Sequence, residues 1–311
     1  MSFTPFPSKI DTSQRSLAAR SDCKPVLTRT FLHIPGIGPQ RERGYWHDGM
    51  LCWDDVLADR DLFDDGPVQA IERDVTLSRQ KLADGDARWF EERMNPNDLW
   101  RLAADFDDGR VAYLDIETDG SRADSIPLDD NSPGGTTVCA IYDGTEARVF
   151  LRNQDIDEIP EYLSKYKVLC TFNGKSFDLP YLEGRFGKDF FNGAHLDLRP
   201  ITAAVGLRGG LKKIEQQIGI EREAMIRKYT GYDAVKLWGA FKRGRKDALE
   251  PLARYNLADT VNLQTVLRVA YNWAVHHDEL PFRRFDEIRT GNEEEATDRA
   301  IVNLMKAVAQ R

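Results

Sequence analysis

Val111-Ala112-Tyr113-Leu114-Asp115-Ile116-Glu117-Thr118 marks an abrupt change of character along the chain. Ahead of it, from residue 28 to about 106, the pattern is helical and short-looped. Residues 53–62 and 68–82 read as helices, and Asn95 can cap a third with Pro96 at its first position. No strand candidate lies in that stretch. The run at 111–118 is instead rich in strand formers. Side chains on a strand alternate between faces, so Asp115 and Glu117 project together while Leu114 and Ile116 pack into the core.

Working outward, strand patterns recur at 137–142, 145–151 and 168–172, with a short one around 195–198, and Asp143-Gly144 reads as a tight hairpin turn. Helices are expected over 157–166, from about 177 onward, and over 247–275. Three closely joined strands, a helix, a fourth strand and a fifth predict an α/β architecture: a mixed sheet flanked by helices, behind a small helical N-terminal region. The corresponding division is a tail at 1–24, which lacks periodicity, a helical region at 25–106, a sheet-bearing domain at 107–275 and a C-terminal extension at 276–311. Residues 293–311 read as a terminal helix. There is no internal repeat or low-complexity tract.

The 311 residues suffice for one large domain with a smaller one attached. Hydrophobic residues make up 41% and charged residues 30% of the chain, and no apolar run approaches the roughly 18 to 20 residues that span a bilayer. The N-terminus lacks the apolar block of a secretory signal, so a soluble, cytoplasmic protein without a membrane partner is expected. Cys23, Cys52, Cys139 and Cys170 are widely spaced, show no zinc-type pairing and read as reduced and mostly buried. The net charge of −8 does not exclude a polyanionic partner, because charge is unevenly spread: residues 204–246 hold eleven Lys or Arg against four Asp or Glu.

The carboxylates carry the chemistry. Two acids on one strand face repel each other unless a cation neutralises them, although a lone D-x-E is common on solvated surfaces. A second element is Asn173-Gly174-Lys175-Ser176-Phe177-Asp178-Leu179-Pro180-Tyr181-Leu182, where a strand ends and Asp178 falls at the start of a helix. That position favours an acid in any case, through the helix dipole. The third is Tyr255-Asn256-Leu257-Ala258-Asp259, whose phenol and carboxylate share a helical face at i and i+4. Carboxylates from several elements are the hard oxygen ligands that a pair of divalent cations requires.

The order D-x-E, then N-G-x-x-F-D-x-P-Y-L, then Y-x-x-x-D resembles the three exonuclease motifs of the DEDD superfamily in its tyrosine branch. The second motif is similar to that of family B DNA polymerase proofreading domains. Over about 111–274 the chain is most similar to the YprB-type family of RNase H-like predicted exonucleases. The resemblance implies an RNase H-like fold and a 3′–5′ exonuclease that hydrolyses phosphodiesters with two ions, Mg²⁺ or Mn²⁺. Asp115, Glu117, Asp178 and Asp259 would be the metal ligands, Asp178 directly or through water, and Tyr255 would orient the attacking water. The implied partner is single-stranded or frayed DNA or RNA. A structure-selective endonuclease and a non-catalytic nucleic-acid-binding protein on a nuclease fold are the alternatives.

Substrate contacts are expected from Asn173, from Lys212 in the helically spaced stretch 209–220, and from the loop cluster Lys242, Arg243, Arg245 and Lys246, which precedes the helix of Tyr255 and Asp259. Lysines on a helix also serve simply as a solvated face. Asp197 stays outside the metal set as a strand-end acid, His195 reads as a packed histidine, and His276-His277 as a solvated helix end. The run from Phe31 to Pro39 resembles half of a helix-hairpin-helix element, which would either present backbone N–H groups to a phosphate or brace the catalytic domain. Residues 119–135 read as a long loop flanking the site.

Overall fold

The computed structural model describes residues 25–58, 68–121, 135–286 and 292–310, with residues 68–70 as backbone only. The expected tail at 1–24 and most of the 119–135 loop lie outside these residues. The five strands are β1 (Val111–Thr118), β2 (Thr136–Tyr142), β3 (Ala147–Leu151), β4 (Val168–Thr171) and β5 (Ala194–Asp197), in the order β3-β2-β1-β4-β5. β1 is central, antiparallel to β2 and parallel to β4, and β4 is parallel to β5. The sheet is mixed, as the sequence predicts.

Helices are numbered along the chain. The N-terminal region holds α1 (Pro39–His47), α2 (Trp53–Ala58), α3 (Val68–Ala83), α4 (Ala87–Glu91) and α5 (Ala103–Phe106). The sheet region holds α6 (Ile159–Leu163), α7 (Asp178–Phe186), α8 (Leu198–Ala204), α9 (Leu211–Gln217), α10 (Gly231–Lys242) and α11 (Leu249–His277), and α12 (Glu293–Ala309) follows. Among the described residues no helix is long and apolar enough to cross a membrane.

Strand alternation assigns each face of β1 its own core. Ala112, Leu114 and Ile116 pack with Cys139, Ile141, Phe150, Ile159, Leu163 and Leu182, so α6 and α7 cover this face with apolar side chains. Val111 and Tyr113 face the other way, into the core shared with α8, α9 and α11. Asp115 and Glu117 continue that second stripe, and so lie under α11 rather than in the apolar layer beneath α6.

α11 serves two regions. Its first half crosses the sheet at the carboxylates. Its second half holds the N-terminal region: Tyr271 meets Trp100 edge-on at 5.2 Å, and beyond the helix the Pro281 carbonyl accepts from Arg29 at 2.6 Å. Phe31, Ile34 and Ile37 are buried in the same core. α12 closes the other flank, burying Ala300, Ile301 and Leu304 against Val149 and Leu151 of β3 and Leu257 of α11.

Several local expectations change. The β2–β3 connection is a four-residue loop, with Tyr142 paired to Ala147. There Asp143 Oδ1 accepts from the backbone of Thr145 and Glu146 at 3.0 and 2.8 Å while Asp143 N–H donates to the Glu146 carbonyl at 3.1 Å, so an Asx turn around Gly144 and Thr145 replaces the expected turn at Asp143-Gly144. Asn95 caps as expected, accepting from Asn97 N at 2.9 Å, but the turn it starts is a 3-10 helix, Pro96–Leu102, that leads into α5. The helix expected at 53–62 is described only as far as Ala58. Cys139 and Cys170 are free and buried, whereas Cys52 is disulfide-bonded, against the expectation of four reduced thiols.

Candidate active site

Asp115 and Glu117 leave β1 opposite Ala140 and Val138 of β2, on the face that α11 crosses. Asp259 approaches from α11. One ligand oxygen from each of the three carboxylates lies within 4.8 Å of the others. Asn256, one turn before Asp259, ties the helix to the strand by donating Nδ2 to the Asp115 carbonyl at 3.0 Å and to its Oδ2 at 2.7 Å. Residues three apart share a helical face, so the spacing of Asn256 and Asp259 is a signal that the sequence holds, although the motif reading leaves Asn256 out.

Asp178 enters differently. β4 pairs with β1 only as far as Tyr113, so the next β1 amide facing that side, Ile116 N–H, lacks a strand partner. Asp178 Oδ1 accepts it at 3.1 Å from the first residue of α7. The turn that delivers Asp178 depends on Asn173 at φ +64° and on Gly174, where any Cβ would collide with the Thr171 hydroxyl. The geometry thus brings three of the four predicted acids into ligand range and sets Asp178 at their edge.

The electrostatics of the cluster disfavour its ionised form. Burial, then the charges of Asp259, Asp178 and Glu117, push the Asp115 carboxyl well above the usual carboxylate range. Glu117 is raised by burial and by Asp259 and Asp178, while Lys212 and Arg222 oppose the rise. Burial brings Asp178 up to about 7. Such a set is proton-hungry until a cation neutralises it. An all-oxygen, all-carboxylate donor set fits a hard divalent ion, which Asp115, Glu117 and Asp259 could hold.

Tyr255 is buried beside the acids. Burial first, then Asp259 and Glu117, raise its phenol well above the ordinary tyrosine value, which favours hydrogen bonding over proton abstraction. Lys212 Nζ lies 4.6 Å from the Tyr255 ring centroid, and the Arg222 guanidinium 5.8 Å from it. Arg222 also pairs with Asp259 and, at 2.6 Å, with Glu215. Neither Arg222 nor Glu215 stands out from sequence, since their link to Asp259 spans 37 residues or more and no local spacing signals it.

Asn173 and Arg199 are joined at 2.5 Å on one wall of a cleft of about 620 Å³ that also includes Phe172, Leu207, Arg208 and Leu211. Phe177, just ahead of Asp178, is exposed. Lys242, Arg243, Arg245 and Lys246 are all solvent-facing around the end of α10, and Arg245 pairs with Asp247 at 2.7 Å. Asp197 caps α8 and accepts from Asn173 N at 2.7 Å and Arg199 N at 3.0 Å, a structural role in keeping with its exclusion from the metal set. His195 Nε2 lies 2.9 Å from Thr171 Oγ1, and burial lowers its pKa to about 4, as suits a packed histidine.

The family model of the RNase H superfamily matches residues 112–271, slightly more than half of the chain, and the chain belongs to this family. No curated protein and no solved structure matches it. An RNase H-like fold with an acidic cluster of this kind points to a hydrolase that acts on nucleic acid and takes a divalent metal.

Proposed function

We propose that the protein is a 3′–5′ exonuclease of the tyrosine branch of the DEDD superfamily, acting on single-stranded or frayed DNA or RNA. The observation that carries this reading is the convergence of Asp115, Glu117 and Asp259 within 4.8 Å on the α11 face of an RNase H-like sheet. The YprB-type and proofreading-domain motifs support it, since Asp178 and Tyr255 stand beside the same three acids. In this reading the four carboxylates hold two ions, Mg²⁺ or Mn²⁺. Bound divalent ions supply Lewis-acid stabilisation of phosphoryl charge and make water a competent nucleophile near neutral pH.

The chain's own groups do the rest. Tyr255 orients the attacking water through its hydroxyl. Lys212, half-buried with its Nζ over the Tyr255 ring, faces the phosphate. The cleft walled by Asn173, Arg199 and Arg208 takes the adjoining nucleotide, with Phe177 offering a ring on which a base can stack. Lys242, Arg243, Arg245 and Lys246 hold phosphates farther along the strand. Residues 107–275 form the nuclease unit, 25–106 its brace and 276–311 an extension whose helix α12 covers its flank.

The test is cleavage of end-labelled single- and double-stranded DNA and RNA with Mg²⁺, Mn²⁺ or EDTA, alongside Asp115→Ala. A metal-dependent ladder growing from the 3′ end is expected, with loss of several kcal/mol of transition-state stabilisation, about a thousandfold in rate or more, in the variant. Internal cuts would make the protein an endonuclease. Metal-independent cleavage, or a fully active variant, would overturn the site.

A further inference from the structure

Arg222 comes from the non-helical stretch between α9 and α10 and buries its guanidinium beside the acids. Its Nε and Nη2 grip both oxygens of Glu215 at 2.6 and 2.7 Å, and Nη2 also donates to Asp259 Oδ1. Glu215 is fixed in turn from α11, where Asn262, three residues beyond Asp259, donates Nδ2 to its Oε1 at 3.0 Å. The result is a closed ring: Asp259 and Asn262 on one helical face, Glu215 on α9, and Arg222 between them. The Arg222 and Glu215 side chains are only 4% and 2% exposed.

Two features separate this ring from an ordinary internal ion pair. Arg222 and Glu215 neutralise each other, so the additional bond to Asp259 is not needed to balance their charge. Asp259 also belongs to the trio whose oxygens converge within 4.8 Å, so the donor acts on a ligand carboxylate. A carboxylate on a single χ2 rotor ligates well only when something outside the metal fixes its plane. The planar guanidinium holds both oxygens of Glu215 together with Asp259 in one fixed geometry, which the flexible, point-like ammonium of a lysine does not reproduce.

We infer that Arg222, held by Glu215, is a positioning residue that keeps the Asp259 carboxylate turned toward Asp115 and Glu117 for metal binding. This rests on the reading of Asp259 as a ligand. Because Arg222 acts through Asp259, its removal weakens metal affinity even when the pair is replaced without any change of net charge.

The experiment is a calorimetric titration of the metal-free protein with Mn²⁺. The charge-balanced double variant Arg222→Met/Glu215→Gln should bind Mn²⁺ on the order of tenfold more weakly than wild type, in the range seen when partners of metal ligands are removed. Glu42→Ala, which breaks a buried ion pair in the N-terminal brace, serves as a destabilised control and should bind as wild type does. If the double variant does not fold, Arg222→Lys keeps the buried charge without the fork and should also weaken binding. Wild-type affinity in the folded variants would overturn the inference, as would equal weakening by Glu42→Ala, because affinity would then merely follow stability. A wild-type protein that binds no Mn²⁺ would fail at the metal centre itself, and the role of Arg222 would fall with it.

Discussion

Among the described residues two arginines are buried against glutamates, and their surroundings differ. Arg101 meets both oxygens of Glu42 at 2.8 and 2.9 Å, and Glu42 also accepts from Phe31 N at 2.7 Å. Around it lie the rings of Trp46, Trp100 and Phe282. Among the described residues, the hydrogen-bond and ring partners of this pair lie in the N-terminal region or just after α11, and none is one of the acids. The Arg222–Glu215 pair is equally buried but extends to Asp259. The first pair is closed within its own region, whereas the second extends to one of the clustered acids, which in the proposed reading couples architecture to the site.

The largest effect is expected where the closed pair is broken. Glu42→Ala leaves Arg101 buried without its counter-charge, which costs about 3–5 kcal/mol. Urea unfolding should show this loss, while Mn²⁺ affinity stays at the wild-type value. Replacing both residues, as Arg101→Met/Glu42→Leu, removes the orphaned charge and should recover most of the stability. A double variant as unstable as the single one would mean that the pair contributes specific bonding beyond charge balance.

The open cluster should reveal itself through pH. Asp178 has a folded-state pKa near 7 against an ordinary value of 3.8, and Asp115 and Glu117 are raised as well. A raised acid binds its proton more tightly in the folded state. Its contribution is fully present below about 3.8 and is lost as pH climbs through about 7. His33 and His195, buried and lowered from 6.5 to about 3 and 4, act in the opposite sense over the overlapping range below about 6.5, so the informative quantity is a difference. The stabilisation conferred by Mn²⁺, read from the rise in unfolding temperature, should grow between pH 5 and 8 by on the order of 2 kcal/mol, and shrink in Asp178→Asn. A gain that does not vary with pH would show that these acids are already ionised without metal.

The same contrast explains what the sequence could disclose. Alternation along β1 was enough to pair Asp115 with Glu117, and the i, i+4 spacing was enough to pair Tyr255 with Asp259, because both relations are local. The mixed sheet was legible for the same reason: its strands are short runs with clear periodicity. Arg222 was not legible, because the bond that gives it meaning joins a loop to a helix 37 residues on. Nor was the four-residue loop at Asp143, where a side chain bonding its own backbone overrides the usual choice of an Asp-Gly turn. Asn256 lies between these cases: its position beside Asp259 was visible, but the Asp115 carbonyl and carboxylate that it bonds were not.

The smallest effect on the fold, and a measurable one on binding, belongs to charges in neither class. Lys242, Arg243, Arg245 and Lys246 are exposed, and the bond from Arg245 to Asp247 is of the screened surface kind that adds little to stability. Neutralising all four should leave the unfolding temperature unchanged. If they lie along the path of a single strand, every phosphate that no longer meets a cation lowers the slope of log affinity against log salt by about 0.7. Four such phosphates would flatten that slope by about 3, and the Arg245–Asp247 pair, by competing for the guanidinium, should hold the observed change somewhat below this. Filter binding of a labelled oligonucleotide in EDTA, from low to moderate salt, measures the slope without cleavage. An unchanged slope would return the cluster to plain surface and leave Lys212, Arg199 and Arg208 to hold the phosphates.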